Sequence, residues 1–177
     1  MFFRWEEGQG IGKMTNNDIL RRIRYIFDLS DDKMTLLSST TNHEVTRARV
    51  CDWLKKDDDP ALVRCSDHEF AVFLNGLIEL KRGKQEGPAR PAERELSNNT
   101  ILRKLKIALN LRSEDIVETI ELGGAKLSEH ALSALFRKVG HRNYMVCEDQ
   151  IMRAFLKGLQ IQHRDKESDS EAAASKL

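Results

Sequence analysis

Long apolar runs are missing from this chain of 177 residues. None approaches the roughly 20 residues that a helix needs to cross a bilayer. An excess of one charge is missing as well. Lys plus Arg total 29 against 28 for Asp plus Glu, so the overall balance is not that of a strongly basic nucleic-acid binder, although a local patch stays open. Cysteine is scarce: Cys51, Cys65 and Cys147 form an odd, sparse set. The opening stretch MFFRWEEGQGIGK has no charged segment followed by an apolar one. Together these point to reduced thiols in the cytoplasm rather than a disulfide framework. Sustained alternation of polar and apolar residues is absent too, so no sheet is expected.

What is present is a repeat. FLNGLIEL at 73–80 returns as FLKGLQIQ at 155–162. Sliding the chain by 82 residues also superposes Asn16-Asn17 on Asn98-Asn99, Ile19-Leu20-Arg21 on Ile101-Leu102-Arg103, and Cys65 and Asp67 on Cys147 and Asp149. One offset serves from end to end without a gap, which chance matches do not do. The boundaries follow: an N-terminal extension at 1–13, repeat 1 at 14–83, a linker at 84–97, repeat 2 at 98–161 and a disordered tail at 162–177. The joint RGKQEGPARPAERELS carries two of the three prolines and reads as exposed linker.

Each repeat spells four helices. NNDILRRIRYIFDL places apolar residues at 19, 20, 23, 26 and 27, which is helical spacing, with Asn16 or Asn17 suited to cap it. Its counterpart is NNTILRKLKIALNL. A short second helix follows Asp31 or Ser113. The third starts at Thr46 or Ser128, preceded by Val45 or Leu127 as a hydrophobic staple on Val50 or Leu132. The fourth starts near Ser66, where Ser66 and Glu69 make a capping box. The fold class expected is all-α: two tandem four-helix repeats related by pseudo-twofold symmetry. A unit of about 65 residues has a marginal core, so the two are expected to share one.

Gly76 and Gly158 interrupt the fourth helices. A mid-helix glycine costs about 1 kcal/mol relative to alanine, so a reason is needed. Either the last helices of the two repeats cross there, or each glycine makes room for a bulky neighbour inside its own repeat.

The segments NNDILRRIRYIFDL, VCDWLKK, RCSDHEFAVFLNGLIELKRG and NNTILRKLKIALNL resemble the YehS-like bacterial proteins, a family of unknown function. The similarity covers about 14–161. It implies an all-helical cytoplasmic protein and brings no catalytic residues.

Candidate chemistry is thin. Cys65 and His68 have a possible metal-ligand spacing, but Cys147 is followed by Gln150 at the matching place and no second pair completes a site. A nucleophilic Cys65 or Cys147 needs a histidine. His43, His68, His130, His141 and His163 all lack a counterpart in the other repeat. Gly123-Gly124 lacks the lysine and hydroxyl of a phosphate loop. Asp57-Asp58-Asp59 before Pro60 reads as a solvated turn. No metal or cofactor is expected, and the chain is not expected to be an enzyme.

The repeated feature with charge is a basic pair on the first helices: Arg21 and Arg24, matched by Arg103 and Lys106, with Arg22 and Lys104 beside them. Residues 14–83 hold 11 Lys/Arg and 12 Asp/Glu, a net of −1, whereas 97–161 hold 10 and 7, a net of +3. The leading expectation is an interaction module that binds a protein partner or a second copy of itself through apolar surface between the repeats, with no membrane contact. The alternative is a regulatory nucleic-acid-binding protein that uses the paired first helices.

Overall fold

A computed structural model describes residues 12–39, 44–84, 87 and 91–165. The extension before residue 12, His43 and the tail beyond 165 therefore lie outside the described residues. Among the described residues eight α-helices follow in order: α1 (Asn16–Ile26), α2 (Asp31–Ser38), α3 (Arg47–Trp53), α4 (Asp67–Arg82), α5 (Asn98–Ala108), α6 (Ser113–Leu122), α7 (Glu129–Leu135) and α8 (Asp149–Gln160). A π-helical turn, Ile161–Asp165, continues α8. Arg164 on that turn donates to the Tyr25 carbonyl at 2.8 Å and to Asp28 at 3.0 Å. The chain thus stays helical past 162, where a tail was expected to begin. No strand occurs among the described residues.

The helix starts follow from side-chain oxygens that satisfy otherwise unpaired N–H groups. Thr15, Ser30, Thr46, Ser66, Ser97 and Ser128 each accept from a backbone N–H of the first turn. Thr15 with Asp18, and Ser66 with Glu69, close reciprocal capping boxes. The cap of α1 is therefore Thr15 rather than Asn16 or Asn17, because both asparagines turn inward to bind other backbone. The ends of the first helices match as well. Asp28 (φ 48°) and Asn110 (φ 54°) occupy the same place in the two repeats. Both are residue types that tolerate the left-handed region through short polar side chains.

One apolar core runs through both repeats. It joins Ile19, Leu20, Ile23, Trp53, Phe70, Phe73, Leu74 and Leu77 to Ile101, Leu102, Leu105, Leu135, Met152, Phe155 and Leu156. Inside a repeat, α2 lies on α4 and α6 on α8; between repeats, α4 meets α5 and α1 meets α8. The apolar faces are consumed by each other, which is how two marginal units reach a sufficient core.

The glycines mark crossings within each repeat. A Cβ at Gly76 would strike the Leu37 carbonyl of α2, and one at Gly158 would strike the Thr119 carbonyl of α6, its equivalent by the 82-residue offset. The crossing of the two last helices is therefore not their reason. The neighbour accommodated is a backbone, not a bulky side chain. Gly123 gives a third close approach, against the Ala154 carbonyl of α8.

The linker is only partly exposed. His68 Nδ1 lies 3.3 Å from the Glu93 carbonyl oxygen, and the Glu93 carboxylate pairs with Lys104 at 2.9 Å. Leu96 packs against the core. A polar, proline-bearing segment reads as solvated on composition, yet its far end is tied down by the helix it leads into.

Candidate functional site

The starts of α1, α4, α5 and α8 converge on a groove of about 1010 Å³ between the repeats. Its walls are equivalent residues from both copies: Asn16 and Asn98, Asn17 and Asn99, Cys65 and Cys147, Asp67 and Asp149. Lys13, Arg64, Asp57 and Glu148 add charge of both signs.

The asparagines build it. Asn17 Nδ2 donates to the Trp53 and Val63 carbonyls at 2.8 and 2.9 Å, and its Oδ1 accepts from the Cys65 N–H at 3.1 Å. Asn99 does the same with Leu135, Met145 and Cys147 at 2.8, 2.8 and 2.9 Å. Each buried amide thus closes the long loop between the third and fourth helices onto the first helix. Asn16 Nδ2 reaches the Cys65 carbonyl at 3.2 Å and Asp67 Oδ1 at 2.7 Å; Asn98 reaches Cys147 and Asp149 at 3.0 and 2.7 Å.

Asp67 and Asp149 then cross the boundary. Asp67 Oδ2 accepts from the N–H of Leu96, which leads into repeat 2, at 2.9 Å, and Asp149 Oδ2 accepts from the N–H of Met14, which leads into α1 of repeat 1, at 2.7 Å. Met14 and Leu96 are themselves equivalent. Each carboxylate opens its own helix, where the macrodipole favours a negative charge. It clamps one strand of chain from each repeat. A duplicated polar constellation therefore exists, although none was expected from the sequence. The signal was present in it: Asn-Asn and Cys-x-Asp are identical in both copies. They read as caps and core residues because nothing local says that they face each other across a boundary.

The thiols in this set are poor nucleophiles. Burial, then Glu69, pushes the Cys65 thiol up; burial, then Asp149 and Glu148, pushes Cys147 up to about 12. Nucleophilic cysteines need the opposite shift. Cys65 and His68 are not brought into a metal cluster: among the described residues no group of three or more His, Cys, Asp or Glu is placed to hold an ion.

The four basic residues singled out on the first helices are each engaged within their own repeat. Arg21 donates to the Lys55 carbonyl and pairs with Asp18 at 2.6 Å and Asp57 at 2.8 Å. Arg24 pairs with Asp31 at 2.6 Å. Arg103 donates to the Phe136 carbonyl at 2.7 Å, and Lys106 sits 5.0 Å over the Phe136 ring. Arg21, Arg103 and Lys106 fasten the end of the third helix to the first, and Arg24 ties the first helix to the start of α2, uses that neither charge nor spacing reveals.

A second concavity, about 560 Å³, lies between α1, α8 and the turn after α6. Its lining includes Arg22, Arg153 and Lys157.

Comparison with known proteins agrees with the repeat. The family model described as "Protein of unknown function (DUF1456)" matches residues 16–83 and again 98–165. The uncharacterized protein YehS of Escherichia coli (strain K12) is 39% identical over 147 residues, covering 82% of this chain and 94% of that protein. No solved structure matches the chain.

Proposed function

Because the chain belongs to the DUF1456 family of unknown function, which brings no activity to carry over, we propose on geometry that it is a non-enzymatic module that binds a protein partner at the groove between its repeats. The observation that carries this reading is that the groove is assembled from equivalent residues of both copies, so it exists only in the joined pair. Its polar groups are bonded to one another, and its two thiols are held protonated. That arrangement suits a rigid docking surface and not a reaction centre, which would need a poised base or nucleophile. The apolar faces are spent on the shared core, so the partner meets a polar, mixed-charge surface instead of the apolar one expected from sequence. No helix among the described residues is long and apolar enough to cross a membrane. A cytoplasmic location is part of the proposal and is supported by three free cysteines.

Site-specific photo-crosslinking in cells tests this. A crosslinker at Arg64 or Glu148, on the two sides of the groove, is expected to trap the same discrete partner, and one at exposed Leu36 of α2 is expected to trap none. Equal, diffuse labelling from all three positions would sink the proposal.

A further inference from the structure

The loops that follow the third helices share a backbone and differ in side chains. In repeat 1 the loop at 55–64 is held by three backbone bonds. The Asp59 N–H donates to the Lys56 carbonyl at 3.0 Å, Leu62 to Asp59 at 3.0 Å and Val63 to Asp52 at 3.2 Å. The loop at 137–146 repeats all three: His141 to Lys138 at 3.0 Å, Tyr144 to His141 at 2.8 Å and Met145 to Ala134 at 3.2 Å. Its shape is therefore set before anything binds, which lowers the ordering cost of association.

The charges of the first loop are spent on each other. Arg21 pairs with Asp18 and Asp57, Lys55 pairs with Asp52, and Asp59 Oδ1 accepts from the Ala61 N–H at 2.8 Å. Repeat 2 keeps the cations, as Arg103, Arg137 and Lys138, and adds Arg142 where Pro60 stands. The carboxylates are gone. Thr100, Ala134, Val139, Gly140 and His141 occupy the places of Asp18, Asp52, Asp57, Asp58 and Asp59. Arg103 turns to the Phe136 carbonyl, and Arg137 Nη1 lies 3.4 Å from His141 Nδ1. Lys138 and Arg142 are exposed and pair with no carboxylate among the described residues.

Apolar exposure is concentrated on the same loop. Val139 is 83% exposed and Val146 56%, and Met145 is exposed as well. These are three of the eight large apolar side chains exposed among the described residues, so they are not the singly scattered kind that needs no explanation. Val146 also lines the groove, and Glu148 follows it on the groove wall. The loop thus continues the groove outward. Aliphatic side chains offer no ring on which a base could stack, and the loop's one tyrosine, Tyr144, is half-buried. That combination fits a protein better than a nucleic acid.

We propose that the 137–146 loop binds a protein segment in which carboxylates alternate with aliphatic side chains, Lys138 and Arg142 taking the carboxylates and Val139, Met145 and Val146 the aliphatics. The inference rests on the groove reading above and adds the chemistry of its partner. Arg142 can hold a carboxylate with two parallel N–H donors, and exposed charges of this kind steer the encounter.

Fluorescence anisotropy on the full chain tests it, with a labelled short peptide of alternating glutamate and leucine as the probe. The controls are the same peptide with serine for leucine, the same with lysine for glutamate, and a single-stranded oligonucleotide. Saturable binding is expected for the first peptide alone. The Lys138→Glu/Arg142→Glu variant is expected to weaken it at least about tenfold, through loss of two charged contacts. Val139→Asp, which puts back the residue type of repeat 1, is expected to weaken it too. All three side chains are exposed, so the melting temperature is expected to hold. Lys126→Glu, on the exposed turn after α6, is expected to change nothing. No saturable binding, equal affinity in both variants, equal affinity for the serine peptide, or tighter binding of the oligonucleotide would each overturn the assignment. Crosslinks from Arg64 and Glu148 that stay discrete and unchanged in the loop variant would overturn it while leaving the groove reading in place. Diffuse crosslinks with peptide binding intact would remove the groove reading and keep this surface.

Discussion

The α4/α5 and α1/α8 seams began as copies and now differ in kind. What they share is backbone-directed: Asp67 and Asp149 each hold the other repeat's lead-in chain, through N–H groups at Leu96 and Met14. What they do not share is charge. Lys104 has Asn75 and Glu93, and Arg22 faces Arg153 and Lys157 across the cleft. The duplicated bonds are those without which neither unit closes, so they report on the fold. The unduplicated charges show where the two seams have diverged: on one side they close the seam through Lys104.

The largest effect expected is from the shared skeleton. Asn17→Ala or Asn99→Ala leaves two carbonyls and one N–H of the long loop without their partner. The loss is expected to be about 3 kcal/mol in chemical denaturation, since each orphaned buried group costs about 1–3 kcal/mol. Equal losses at the two sites would confirm that the repeats are equivalent there; a loss confined to one would break the comparison.

Next come the glycines. Alanine is the better helix former by about 1 kcal/mol, but its Cβ would collide with backbone at both Gly76 and Gly158. Each substitution is expected to destabilise by about 2 kcal/mol, as overpacking does. A rise in melting temperature on Gly158→Ala would show that α6 moves away freely.

The seams themselves should separate more gently. Lys104→Gln is expected to cost about 1–2 kcal/mol by leaving the Glu93 carboxylate unpaired. Arg153→Gln is expected to cost less, because the loss of its bond to the Gly12 carbonyl is offset by relief of repulsion along α8. Opposite ordering in a thermal melt would mean that the cationic seam is the structural one.

Smallest is the response to acid. Burial pushes Glu69 and Asp18 up, but bonds from Ser66 and Arg49, and from Thr15 and Arg21, outweigh it and hold both carboxyls below their usual range. Lowered folded values stabilise above the unfolded values of about 4, and that contribution is lost as pH falls through the folded ones. Asp18→Asn with Glu69→Gln should flatten the stability slope below about pH 4, a change confined to repeat 1. Repeat 2 has Thr100 and Ile151 at these places.

Much of the fold was legible. Helical periodicity in NNDILRRIRYIFDL, the Thr46, Ser66 and Ser128 caps and the single offset of 82 all survive in the structure. The candidate sites were not. Asn17 looks like a cap, Arg21 like a surface cation and Arg153 like an ordinary polar face, because each is defined by a partner more than 30 residues away or by the other copy.

The sequence by itself determined that an all-helical unit was written twice, because period, capping and repeat offset are local and need no knowledge of what packs on what. Only the tertiary structure decided that Gly76 faces α2, that Asp67 and Asp149 bridge the copies, and that three cations share a cleft. Those are facts of juxtaposition, set by how a shared core brings distant segments within bonding distance.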